Sequence, residues 1–207
     1  VPYQHGSWRN IMSLLPYASL THRRKKFRAT GDVVLLSSQT ASNSASISFT
    51  SGIDSTYGEY IFKFYNINPA TNQTDFTFNG SIDAGSNYNV TKTSTAFDAY
   101  HDEDDSPAEM VYETGNDLAQ GTGFQIIGRY LGNAADESCT GELHLFNPSS
   151  TTYVKHFYSR LNVHMADNLT QDVFTAGYFN DTNDIDAVQF KMASGNFDGT
   201  IKLWGVK

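Results

Sequence analysis

From Gly31 onward the sequence breaks into short apolar runs parted by clusters of Gly, Asn, Asp and Ser, and helical periods are nearly absent. Runs of four to eight residues bounded by turn-forming residues specify an all-β sandwich or barrel. Alternation with a period of two is clearest in Glu59-Tyr-Ile-Phe-Lys-Phe, which puts Tyr60, Phe62 and Phe64 on one face. Val188-Gln-Phe-Lys-Met does the same for Val188, Phe190 and Met192. These six residues are the expected core. The composition agrees, because 14 Phe and 12 Tyr suit a pleated, half-buried surface better than a helix.

The expected strands are Asp32–Ser37, Ala45–Thr50, Glu59–Ile67, Thr74–Asn79, Asn87–Lys92, Phe124–Leu131, Gly141–Phe146, Thr151–Met165, Asp172–Phe179, Ile185–Met192 and Thr200–Val206. Thr151–Met165 alternates less cleanly, holding Lys155, His156 and Arg160, and reads as two strands or as one that crosses between sheets at a bend. Ser37–Ser48, rich in Ser, Ala and Asn, reads as a hairpin turn. The polar stretch from Tyr100 to Gln120 reads as a long surface loop with room for a helical turn. The fold class expected is therefore an antiparallel, jelly-roll-like β-sandwich over residues 32–207, preceded by a short helical, basic arm over residues 1–31.

The arm is defined by charge. Six of the 14 Lys and Arg (Arg9, Arg23, Arg24, Lys25, Lys26, Arg28) precede Gly31, and no Asp or Glu does. The remainder carries 8 − 22 = −14, so an acidic body follows an arm of +6. Such asymmetry marks an interaction tail, the bland alternative being a solvated terminus. Within the arm Trp8, Ile11, Met12 and Leu15 fall at helical spacing after Ser7, and Pro16 ends the pattern. A segment this short does not hold a helix alone in water, so its apolar stripe needs something to dock against. The residues expected to bind a partner are these four with the six basic ones. Phosphate contacts by Arg23-Arg-Lys-Lys-Phe-Arg are opposed by the −14 body, so an acidic protein lattice is the expected partner in preference to nucleic acid.

Residues that carry chemistry are hard to find. Asp102, Glu103, Asp104 and Asp105 lack the glycine-pivoted loop and closing Glu of a calcium site. Asp181-Thr-Asn-Asp-Ile-Asp puts apolar Ile185 where a ligand belongs. No nucleophile elbow is present, and the six histidines follow no zinc spacing. Glycoside hydrolysis needs two carboxylates across a cleft, and no motif singles out a pair among 22 acidic residues. Cys139, read as part of a turn, has acidic neighbours that raise a thiol pKa. The chain is expected to be non-enzymatic, with no cofactor and no metal. No apolar run reaches membrane-spanning length, and Ile11 to Leu15 is too short for a signal-peptide core. Trp204 alternates out of register with Ile201 and Leu203, which makes it a candidate contact for a glycan or another subunit.

Four segments carry a resemblance. Gly58-Glu-Tyr-Ile-Phe-Lys-Phe-Tyr-Asn-Ile-Asn-Pro, Gly85-Ser-Asn-Tyr-Asn-Val-Thr-Lys-Thr, Leu143-His-Leu-Phe-Asn-Pro-Ser-Ser-Thr-Thr-Tyr-Val-Lys and Ser194-Gly-Asn-Phe-Asp-Gly-Thr-Ile-Lys-Leu-Trp-Gly are similar to a β-sandwich module of tailed-bacteriophage virion proteins, notably from marine and cyanobacterial hosts. The resemblance runs from about Val33 to the end, and the basic arm departs from it. It implies a virion location and a structural role with no catalytic residues: a capsid decoration or tail-attached protein that docks on other virion proteins. A homo-oligomer such as a trimer is the expected assembly. The alternative it implies is a tail-fibre tip that recognises a host surface glycan.

Overall fold

The structure is a computed structural model, and it describes residues 32–207. The arm expected over residues 1–31, with its helix and all ten docking residues from Trp8 to Arg28, lies outside the described residues. The described chain forms twelve strands: β1 (Val33–Ser44), β2 (Ile47–Phe49), β3 (Glu59–Pro69), β4 (Thr74–Ser81), β5 (Lys92–Asp102), β6 (Ala108–Tyr112), β7 (Gln125–Leu131), β8 (Cys139–Phe146), β9 (Lys155–His164), β10 (Leu169–Phe179), β11 (Ala187–Met192) and β12 (Phe197–Val206). An eight-stranded sheet runs β1-β12-β3-β8-β9-β10-β5-β6, a four-stranded sheet runs β2-β11-β4-β7, and the pairings are antiparallel.

The two sheets face each other across a core of aromatic rings. Phe62 and Phe64 on β3 meet Phe190 on β11 at ring-centroid distances of 5.1 and 5.2 Å, and Phe64 meets Phe76 on β4 at 5.2 Å. All six residues expected in the core are buried there. Edge-to-face contacts of this kind add about 0.5–1.5 kcal/mol per pair to the burial of the rings themselves.

Four expectations need correction. Residues 37–44 do not turn back on a neighbouring strand. They continue β1 along the edge of the large sheet, paired with β12, and the chain then crosses to the small sheet, where β2 pairs with β11. Residues 87–91 are not a strand, and β5 starts at Lys92 and carries on through His101 and Asp102. The first part of the loop expected over Tyr100–Gln120 is instead the end of β5, a tight turn and β6, whose register joins Phe97 to Tyr112 and His101 to Ala108, while residues 113–120 lie outside the strands. Residues 155–164 form one strand with alternation at every position, paired on both sides and confined to the large sheet.

The small sheet is narrower than the one it covers. Its edge strand β7 lies nearest β9 and β10, and β2 lies nearest β1, so β5 and β6 run out beyond it. The outer face of the large sheet is left without a covering layer among the described residues.

Candidate functional site

Where the β8–β9 connection leaves the sheet, it meets the loop before β3 and the turn before β11. The three enclose a cleft of about 890 Å³. Ligand sites commonly fall in the range of about 300–1,000 Å³. Tyr57, Phe146, Tyr153 and His156 supply aromatic walls, and Asp54, Asn147, Ser149, Ser150, Thr152 and Thr182 supply polar groups; among the described residues no Lys or Arg lines it.

Local geometry fixes this arrangement. Asn147 takes a positive φ of 44°, a conformation its short polar side chain tolerates better than most. Its backbone N–H donates to the Gly58 carbonyl at 2.8 Å, which ties the β8 exit to the β3 entry. Ser150 Oγ accepts from the backbone N–H groups of Thr152 (3.3 Å) and Tyr153 (3.0 Å), and so shapes the bend that carries Tyr153. The Tyr153 side chain stands 74% exposed. Tyr57 lies against the backbone of Gly205, where an added Cβ would approach its ring to 2.6 Å, and edge-on to buried Tyr60 at 5.8 Å. The Thr56 side chain and backbone N–H donate to Asp54, and the Tyr60 hydroxyl does too; these hydrogen bonds hold its carboxyl below the ordinary value of 3.8, so it stays ionised at neutral pH.

The cleft opens onto the outer face of the large sheet through Phe146 and His156. These also line a shallow groove of about 380 Å³ with Tyr158, Tyr178 and Thr93–Thr95. Beside it, His144 stacks on Tyr158 at 4.4 Å with the planes 16° apart. It is flanked by carboxylates on both ring nitrogens, with Nδ1 2.5 Å from Glu59 and Nε2 3.2 Å from Glu142. The same row of the sheet continues through Ile61 to Trp204 and Leu35. Trp204 therefore sits on the outer face, half-buried, two strands from Phe146 of the groove and not in the cleft. Its indole N–H is buried without a hydrogen-bond partner among the described residues.

The other candidates from sequence lie apart from this cleft. Asp102–Asp105 form the β5–β6 turn, where Asp102 and Asp104 cap backbone N–H groups two residues on. Among the described residues no group of three or more His, Cys, Asp and Glu is placed to hold a metal ion. Cys139 is not in a turn. It opens β8, is buried opposite Ile67 and Val163, and has its thiol pKa pushed up by that burial rather than by acidic neighbours.

Sequence reasoning missed the cleft itself. Most of its residues come from loops, and the one available signal was His156 on the outward phase of β9, which Tyr158 of the neighbouring groove shares. No protein-family model matches the chain, and neither a curated protein nor a solved structure matches it.

Proposed function

We propose that the domain is a non-enzymatic module of a tailed-phage particle that binds a neutral host saccharide in the cleft between Tyr57, Phe146, Tyr153 and His156. The observation that carries this reading is the lining: aromatic faces and uncharged hydroxyl and amide groups, with a single carboxylate and no Lys or Arg among the described residues. Flat aromatic walls suit the apolar faces of sugar rings, and side-chain hydroxyls, amides and Asp54 suit their hydroxyl groups. A phosphorylated or nucleic-acid ligand would need cations that the described lining lacks, and the body charge of −14 would repel it.

Two further points support the particle assignment. The resembling segments contribute much of the cleft, since Gly58, Phe146, Asn147, Ser149, Ser150, Thr152 and Tyr153 all fall within them. The strand order also fits a jelly-roll-like winding, because β1 to β4 alternate between the sheets and pair with β12, β11, β8 and β7. In this reading the basic arm fastens the chain to acidic virion proteins and the sandwich faces outward.

The test is a titration of the protein with a panel of neutral oligosaccharides, followed by NMR or calorimetry. A member of the panel should bind, and Tyr153→Ala and His156→Ala should each weaken it about tenfold, roughly one good contact. Binding that both substitutions leave unchanged would place the saccharide outside the cleft.

A further inference from the structure

The core holds a lysine that the saccharide cleft does not use. Lys92, the first residue of β5, is 0% exposed, and so is Asn79 on β4 in the opposite sheet. Lys92 Nζ lies 2.7 Å from Asn79 Oδ1 and 2.9 Å from the Val90 carbonyl. The Phe179 ring stands 5.5 Å from the ammonium position and also closes over Gly80, where an added Cβ would meet it at 2.9 Å. Lys92 makes no ion pair among the described residues, and burial alone pulls its pKa down from 10.5 to about 7. A large share of the amine is therefore neutral, and nucleophilic, at physiological pH.

The amide facing it is held as a reaction partner would be. Asn79 Oδ1 also accepts the Gly80 backbone N–H at 2.9 Å, and Asn79 Nδ2 donates to the carbonyls of Tyr88 (2.7 Å) and Thr122 (3.0 Å). We propose that Lys92 and Asn79 join in an intramolecular isopeptide bond that ties the small sheet covalently to the large one.

The Nζ lone pair attacks Asn79 Cγ, and the carbonyl π electrons move onto Oδ1, into the Gly80 N–H. A proton from Nζ passes to Nδ2, and the Tyr88 and Thr122 carbonyls stabilise the charge that develops there. The electron pair on Oδ1 then re-forms the carbonyl as the Cγ–Nδ2 bond breaks, the bond pair leaves with the protonated nitrogen as ammonia, and Nζ keeps its one remaining hydrogen, so the products are one secondary amide and one ammonia. Nothing is oxidised or reduced, and no co-reactant is needed. Fixing the two groups in contact supplies an effective concentration of about 10⁵–10⁸ M in well-oriented cases, and the N–H donor to Oδ1 acts where negative charge develops.

This inference is independent of what the cleft binds. It is tested on the full chain by intact mass and peptide mapping. The expected result is a mass lower than the sequence mass by one ammonia, with a branched peptide joining Asn79 to Lys92. The unmodified mass would overturn the proposal. So would an ammonia loss that maps to a succinimide at Asn79-Gly80, where the glycine nitrogen can attack the same carbon. Lys92→Arg separates the two chemistries, since a succinimide loss persists in it and an isopeptide loss disappears. The wild-type peptide map decides the matter even if that variant fails to fold.

Discussion

The two ends of the sandwich interior are built on different principles. Under β11 and β4 the filling is phenylalanine: Phe49, Phe62, Phe64, Phe76 and Phe78 surround Phe190 at 5.1 to 6.3 Å. Under β5 the inward residues are Lys92, Ser94, Ala96 and Asp98, met by Asn79, Gln125, Gln171 and Arg129. The reason is the unequal width of the sheets. Where the small sheet covers the large one, apolar rings can be enclosed on both sides. Where it stops, the inner face of β5 meets loop backbone from residues 113–124, whose N–H and C=O groups need partners. Ser94 Oγ accepts from the Leu118 N–H and donates to Gln125 Oε1, and Gln125 Nε2 donates to the Asn116 carbonyl. Polar side chains here replace a missing strand.

The contrast predicts unequal responses to truncation. Phe190→Ala should cost about 3–5 kcal/mol, since it removes the ring on which five others converge and leaves a cavity that a two-sheet frame cannot collapse. Denaturant unfolding should show the shift as a lower midpoint at unchanged slope. Phe97 sits on the outer face of β5, 40% exposed and stacked on Phe174 at 4.9 Å, and its alanine variant should lose much less. Equal losses at both positions would mean that the outer face is as enclosed as the core.

A second, smaller effect belongs to the polar end. Asp98 is 1% exposed; one of its oxygens accepts from Gln171 Nε2 at 2.9 Å, and the other has no partner among the described residues. Burial, followed by the nearby Glu113 charge, raises its pKa above 3.8, and Arg129 opposes the rise only in part. Between 3.8 and that raised value the folded chain holds a proton that the unfolded chain has released, so stability falls as pH rises through this interval. Measured against Asp98→Asn, wild-type stability should therefore decline with rising pH across that window and then level off. A flat difference would mean that Asp98 is solvated.

The same contrast explains how much could be read from sequence. Strands over the aromatic half were legible because apolar residues mark their buried phase, as in Tyr60-Ile-Phe-Lys-Phe and Val188-Gln-Phe-Lys-Met. On β5 the code is inverted: Lys92, Ser94 and Asp98 point inward while Phe97 points out, so residues 93–99 fall in none of the expected strands and Tyr100–Asp102 read as the start of a loop. On β9 the alternation is regular, but Lys155 and Ser159 occupy buried positions and hide it. Lys155 reaches the Asp181 carbonyl at 3.0 Å, a partner 26 positions away that no local pattern announces. β1 was cut short because an edge strand paired on one side can be made of Ser, Gln and Thr. The cleft was illegible for a different reason, since it exists only once three loops distant in sequence converge.

The smallest stability change is expected at Tyr153, and it separates folding from binding most sharply. Its ring is the most exposed large hydrophobic side chain described, and its backbone is positioned by Ser150 rather than by its own side chain. Tyr153→Ala should shift unfolding by no more than about 0.5 kcal/mol, the range of surface substitutions away from packed features. The same substitution should cost saccharide affinity about tenfold, roughly 1.4 kcal/mol. A ring that contributes nothing to the fold yet carries affinity is held out for a ligand, whereas a stability loss comparable to that of Phe190→Ala would show that the ring packs against the domain and is not free to meet one.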